Sequence, residues 1–295
     1  MPIRELFHFM QIVDDFDAAQ SFYDSLLTPQ TYMAKSWSDF DKRWASLGVV
    51  GPDFVLEIME PSALAEDQEL PLPKFHNRHG QHWHSFSWYV DADDMPALIE
   101  RLRGYGVRVL TPYPSKEAVP GTIFTHPKDT FGQLEMQGFK GDERRDPRFL
   151  QGVSTELWAN GPLGLLRASH LTTGVSDLER AQDFYTTCLE ATVFHSSSGP
   201  DRDSVFVLVG TETVVELARP KTEDSLLGRD LIEHGELPHA ATFTVADIDA
   251  ATRHIEGIGL RVNHIGDETV VLDPDQALGA VIAFTTARIP NDPRD

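Results

Sequence analysis

The chain has 295 residues, 41% hydrophobic and 24% charged, enough for one large domain or two smaller ones with a real core. Lys and Arg total 25 against 46 Asp and Glu, a formal charge of −21, so nucleic acid and anionic membrane are both repelled and neither is expected as a partner. No apolar run approaches the roughly 18 residues of a membrane span, and the single cysteine, Cys188, cannot form an internal disulfide, so a cytoplasmic protein is expected.

In chain order, LFHFMQIV from Leu6 reads as a strand, Asp15 as a helix cap, and Phe16, Ala19, Phe22, Tyr23 and Leu26 as one apolar helical stripe. Thr31–Trp44 packs Tyr32, Met33, Trp37, Phe40 and Trp44 between polar residues, an aromatic density that suits a pocket wall for a flat or apolar ligand. Trp83, Trp88 and Tyr89 extend that wall. Strands are expected at Trp44–Val50 and Phe54–Glu60, followed by a His-rich connector, Pro71–His84, in which His76 and His79 read as solvated. A second unit begins at His84: strand, acidic turn, a helix ending at Gly106, then strands Val107–Leu110, Thr122–Thr125 and Gln133–Gln137. The charged, turn-rich segment Gly138–Gly152 then reads as a boundary.

The remainder repeats the pattern. RASHLTTGVSDLERAQDFYTTCL from Arg167 aligns without a gap on the first unit: His8 and His170, Asp15 and Asp177, and Phe22-Tyr23 and Phe184-Tyr185 fall at matching positions. Leu178, Ala181, Phe184, Tyr185 and Cys188 form the matching stripe, which makes Cys188 a buried helical residue. HAATFTV from His239 repeats the unit begun at His84, with a helix ending at Gly259 and strands Leu260–His264, Thr269–Leu272 and Ala280–Thr285; Val205–Val209 and Thr213–Ala218 complete the third unit. The pattern is four βαβββ modules in two domains, 1–140 and 153–290.

Each module places a His on its first strand, and three place a Glu inside an apolar last strand: Glu57 in VLEIMEP, Glu135 in QLEMQ and Glu216 in VVELARP. A carboxylate there is costly unless paired or metal-bound. The fourth has lost its acid, since aligning Gly279 with Gly132 sets Ala283 where Glu135 stands. Two facing modules would present His, Glu, His and Glu to one divalent metal, Fe, Mn, Co, Ni or Zn. Alternation along the strand puts His84 on a face with His82, Phe86 and Trp88.

The repeat, the His-x6-Asp-x6-Phe-Tyr pattern and the late-strand Glu resemble the vicinal oxygen chelate superfamily, which includes glyoxalase I, type I extradiol dioxygenases and bleomycin-binding proteins. The resemblance implies an α+β fold in which paired modules form incomplete barrels around a metal chelated by two neighbouring substrate oxygens. Carried over, the ligands are His8, Glu57, His84 and Glu135, with Glu57 or Glu135 as catalytic base; if modules pair crosswise, the set becomes His84, Glu135, His170 and Glu216. A glyoxalase-like isomerase, epimerase or lyase acting on a small, aromatic or apolar substrate is implied, in a monomer or homodimer. An Fe(II) extradiol-type dioxygenase of catechol-like aromatics and a non-catalytic drug- or metabolite-binding protein are the alternatives. The extradiol signature is incomplete, for THPKDTFGQLE offers His126, Asp129, Gly132 and Glu135 but no Tyr. The N-terminal half, which keeps both acids, is the one expected to be active, and the half in which Ala283 replaces the acid is expected to have lost catalysis.

Overall fold

A computed structural model describes residues 2–110, 121–140, 148 and 156–295. The first half runs β1 (Ile3–Ile12), α1 (Phe16–Leu26), β2 (Gln30–Ser38), β3 (Arg43–Val49), β4 (Val55–Pro61), α2 (Pro71–His79), β5 (His82–Asp91), α3 (Met95–Gly104), β6 (Val109–Leu110), β7 (Thr122–Thr125) and β8 (Gln133–Phe139). After α4 (Glu156–Ala159), the second half runs β9 (Leu165–Gly174), α5 (Leu178–Cys188), β10 (Thr192–Ser198), β11 (Arg202–Val209), β12 (Thr213–Pro220), α6 (Leu226–His234), β13 (Pro238–Val245), α7 (Ile248–Gly257), β14 (Val262–Ile265), β15 (Thr269–Leu272) and β16 (Val281–Thr285). Most of the expected boundary segment, Gly138–Gly152, lies outside the described residues.

Each half is one eight-stranded sheet. The first has the order β2-β3-β4-β1-β5-β8-β7-β6, and the second repeats it as β10-β11-β12-β9-β13-β16-β15-β14. β1 pairs antiparallel with β5 and parallel with β4, while β5 pairs parallel with β8. The modules therefore pair in sequence. The crosswise set fails at this level, because His84 and Glu135 belong to one sheet and His170 and Glu216 to the other.

Local chemistry explains the helices. Asp15, Asp177 and Asp247 sit in extended backbone before α1, α5 and α7, and each side chain accepts from an amide three residues on. The α1 stripe buries Phe16, Ala19, Tyr23 and Leu26, and α5 buries Ala181, Phe184, Tyr185 and Cys188; burial pushes the Cys188 thiol up to about 11, far from a reactive thiolate. β2 and β10, which carry no clear alternation, are exposed edge strands.

One apolar core spans both halves, with Phe54 and Phe243 meeting edge to face at 4.9 Å. Two equivalent glycines seal the seam. Gly132 and Gly279 both hold positive φ, and a Cβ at Gly132 would meet Pro238 at 2.6 Å while one at Gly279 would meet the Gln81 carbonyl at 2.3 Å.

Candidate active site

The face of the first sheet turned away from its main core carries the expected acids. Register places Met10 beside Glu57 and Ser87 beside Glu135, with His8 opposite Ser87, so β1, β4, β5 and β8 each contribute to one surface. All of these acids and histidines are buried, as is His84. Around them Met10, Ile12, Ala45 and Met59 form a small separate apolar cluster, against which Met33 and the α2 residues Leu72 and Phe75 pack.

Two carboxylates converge on one imidazole. His8 Nε2 lies 3.3 Å from Glu57 Oε2 and 3.3 Å from Glu135 Oε2, and hydrogen-bonds the latter. Arg43, on the same face of β3, donates Nη1 to Glu57 Oε1 at 2.5 Å, leaving Glu57 Oε2 buried without a hydrogen bond among the described residues. Burial alone would raise the Glu57 pKa, but Arg43 and then His8 override it and hold the carboxyl below its usual range. For His8 burial pulls the other way, yet the two carboxylates win and raise it.

His84 breaks the alternation expected of its strand. The β1–β5 register shifts where Met10 faces Ser85 and Gln11 faces Trp83, leaving His84 unpaired between them. Phe86 and Trp88 consequently join the main core, whereas His84 meets the edge of Phe75 at 4.6 Å and its Nδ1 lies 2.7 Å from Ser85 Oγ. Burial, helped by Arg43, lowers its pKa to about 3 and keeps the ring neutral.

The aromatic wall is largely elsewhere. Trp83 and Trp88 are core residues, while Trp37 and Trp44 pair with each other and Lys35 lies over both Trp44 and Phe16 of α1, on the helix side of the sheet. Tyr89 does stand near the site, its ring 4.8 Å from Phe7, which in turn lies 4.3 Å from His8. The expected connector bearing His76 and His79 is the helix α2, with His76 hydrogen-bonded to Asp14.

The matching surface of the second half is closed. Glu216 accepts from Arg202 Nε at 2.8 Å, Ser204 Oγ at 2.6 Å and Thr172 Oγ1 at 2.7 Å, and His170 Nε2 stands 3.5 Å away. Ala283 lies beside Thr242 as Glu135 lies beside Ser87, and His239 bonds Asp230 instead of facing an acid on the sheet.

Residues 169–270 match the family model described as the Glyoxalase/Bleomycin resistance protein/Dioxygenase superfamily. No curated protein matches the sequence. Among solved structures, a variant of 4-hydroxymandelate synthase from Streptomyces coelicolor superposes with a TM-score of 0.69 at 14% identity, over 96% of this chain and 92% of that one. The 2,2',3-trihydroxybiphenyl 1,2-dioxygenase of Sphingomonas wittichii strain RW1 gives 0.62 at 15% identity, over 99% and 94%. The chain has the vicinal oxygen chelate fold. In that fold the concave face of a module pair is where a metal would sit, and the first half has donors of the right kind. Two ligands bound at about 2.1 Å and at right or tetrahedral angles lie about 3.0–3.4 Å apart, which fits each 3.3 Å pair of His8 Nε2 with a carboxylate oxygen. The two carboxylates and the imidazole do not all lie within 4.8 Å of one another, so one acid would have to swing inward. Glu57 Oε2, buried and unbonded, is the atom such an ion would satisfy. Arg43 limits Glu57 to that single oxygen.

Sequence reasoning missed Arg43 and its counterpart Arg202. The signal was present, since each stands fourteen residues before its Glu, opposite a matching proline in the register.

Proposed function

We propose that the protein is a metal-dependent enzyme of the glyoxalase type, an isomerase, epimerase or lyase, with its active site on the first sheet. The observation that carries this reading is His8 held between two buried carboxylates, one of which keeps an unsatisfied oxygen. His8, Glu57, Glu135 and His84 would hold a divalent cation, whose contribution when bound is to polarise a substrate oxygen as a Lewis acid.

The side chains divide the remaining work. Arg43 keeps Glu57 ionised, making it a steady anionic ligand and a poor base. Glu135, which bonds only the His8 ring among the described residues, is the carboxylate free to take a proton from a substrate carbon. His84, neutral, offers a lone pair rather than a charge. Met10, Ile12, Met59 and Phe75 exclude water from the proton path.

The test is metal analysis of the purified protein with His84→Ala and Glu135→Ala beside the wild type, followed by NMR of solvent-deuterium exchange into a panel of α-hydroxy- and α-oxo-carbonyl compounds. Full metal content in both variants would end the assignment. A second reading rests on Arg43: by tying down Glu57 it leaves His8, His84 and Glu135, the two-histidine, one-carboxylate set used by non-haem Fe(II) oxygenases. Oxygen uptake by the Fe(II)-loaded protein with catechols, and no deuterium exchange, would favour that dioxygenase.

A further inference from the structure

A second group of metal-binding side chains lies where the two halves meet. His82 begins β5 of the first half, while Asp230 and His234 stand one turn apart on α6 of the second, so helical spacing points both at the same spot. One ligand atom from each of the three lies within 4.8 Å of the other two. His82 Nε2 is 2.8 Å from Asp230 Oδ1, and His234 Nε2 is 4.0 Å from the same oxygen. His79, at the end of α2, brings its Nδ1 to 3.2 Å from His234 Nδ1.

The surroundings are those of a metal site. Ligand histidines commonly fix their orientation by donating the other ring N–H to a backbone carbonyl or a carboxylate. His82 Nδ1 donates to the Trp83 carbonyl at 2.7 Å, which fixes the ring with Nε2 aimed into the group. The carboxylate is also held from outside, since His239 Nδ1 bonds Asp230 Oδ2 at 2.7 Å. His82 is buried while His79 and His234 are only half-buried, which gives a cation a route from solvent.

We propose that His82, Asp230 and His234 bind a transition-metal cation, with His79 bonded to the other ring nitrogen of His234 and so orienting it, zinc best fitting this mixture of imidazoles and one carboxylate, and that the ion clamps the two halves together. This site is separate from the one on the first sheet and stands whether or not that one is catalytic. The two are neighbours through Phe75, whose ring lies 4.5 Å from His79 and 4.6 Å from His84, so a cation at the seam also fixes α2 over the active-site face.

The experiment strips the full-length protein with chelator, then titrates Zn2+ against a colorimetric competitor and Co2+ by its visible absorption. Wild type is expected to take two equivalents. Asp230→Asn combined with His234→Gln should take one and lose at least half of the zinc-induced rise in Tm, whereas Glu135→Gln should lose the other equivalent and keep that rise. If the double variant binds as much zinc as wild type with the same rise, the cluster is a hydrogen-bonded network only and the proposal falls. A single equivalent lost in Glu135→Gln alone overturns the seam site and leaves the proposed function standing; one lost in the double variant alone does the reverse. Should the double variant not fold, His79→Gln decides, with about tenfold weaker binding at one site expected and unchanged binding overturning the clamp.

Discussion

Glu57 and Glu216 occupy the same position in the two halves, face an arginine fourteen residues upstream, and lie near a first-strand histidine, yet only one of them is left chemically open. Glu216 is saturated by Arg202, Ser204 and Thr172. Glu57 has Arg43 on one oxygen and, among the described residues, no hydrogen bond on the other, because Ala45 and Met10 occupy the positions where Ser204 and Thr172 stand around Glu216. Two hydroxyls thus separate a structural buried acid from a reactive one. A buried charge that is fully hydrogen-bonded gains nothing from a cation, whereas one left half-bonded gains a great deal.

The comparison breaks most sharply at the ligands. His8→Ala or Glu135→Gln should weaken metal binding at the first sheet on the order of 100-fold or more, while His170→Ala should leave it within about twofold, measured by chelator competition; equal losses would place the site in both halves. Next come the arginines. Arg43→Met, which strands Glu57, should cost about 3 kcal/mol of metal-free stability in urea, and Arg202→Met about 1 kcal/mol, because Arg202 is half-exposed and two hydroxyls remain on Glu216. Ala283→Glu would restore the missing acid to a buried position where, among the described residues of the sheet, His170 is the neighbour that matches His8, and should destabilise the chelated protein by roughly 2 kcal/mol, part of it recovered when zinc is added.

The smallest effect is with pH. His84 is held neutral in the fold, with a pKa of about 3, so the unfolded chain takes up a proton first as pH falls and stability declines below the ordinary histidine range. Between pH 7 and 6 this amounts to under about 1 kcal/mol, and His84→Gln should remove it. His8 acts in the opposite sense: its raised pKa contributes stability below the unfolded value that is lost as pH rises through the folded one. The two imidazoles of one site therefore partly cancel in the wild type, and only the variant exposes the slope. Glu216, depressed because Arg202 and its hydrogen bonds outweigh burial, contributes stability that disappears as pH falls below the carboxylate range.

Much of the architecture was legible because it is written four times. A His, a capping Asp and a Phe-Tyr pair at constant spacing identify the first unit of each half, and the match of Gly279 with Gly132 in the other units sets Ala283 where Glu135 stands, beside Thr242 in the sheet. The buried acids were legible for the opposite reason, as polar residues interrupting apolar strands. What escaped needed the third dimension. The bulge at His84 cancels simple alternation and sends Phe86 and Trp88 to the core. α2 begins with two prolines among three residues and carries two histidines, a composition that reads as a connector, but Pro71 at its first turn costs the helix nothing. His82 and Asp230 are far apart in sequence and meet only because the halves dock, so no local pattern announces them.

That docking governs how the gene can be divided. Phe54 of one half packs on Phe243 of the other, Trp158 reaches the Thr28 carbonyl, Arg101 reaches the Cys188 carbonyl, and neither Gly132 nor Gly279 tolerates so much as a methyl group at the joint. A fragment carrying either sheet alone would present this face to water as a sticky apolar surface. The two sheets form one tandem that does not come apart, and truncation at the midpoint should yield inclusion bodies rather than a minimal enzyme.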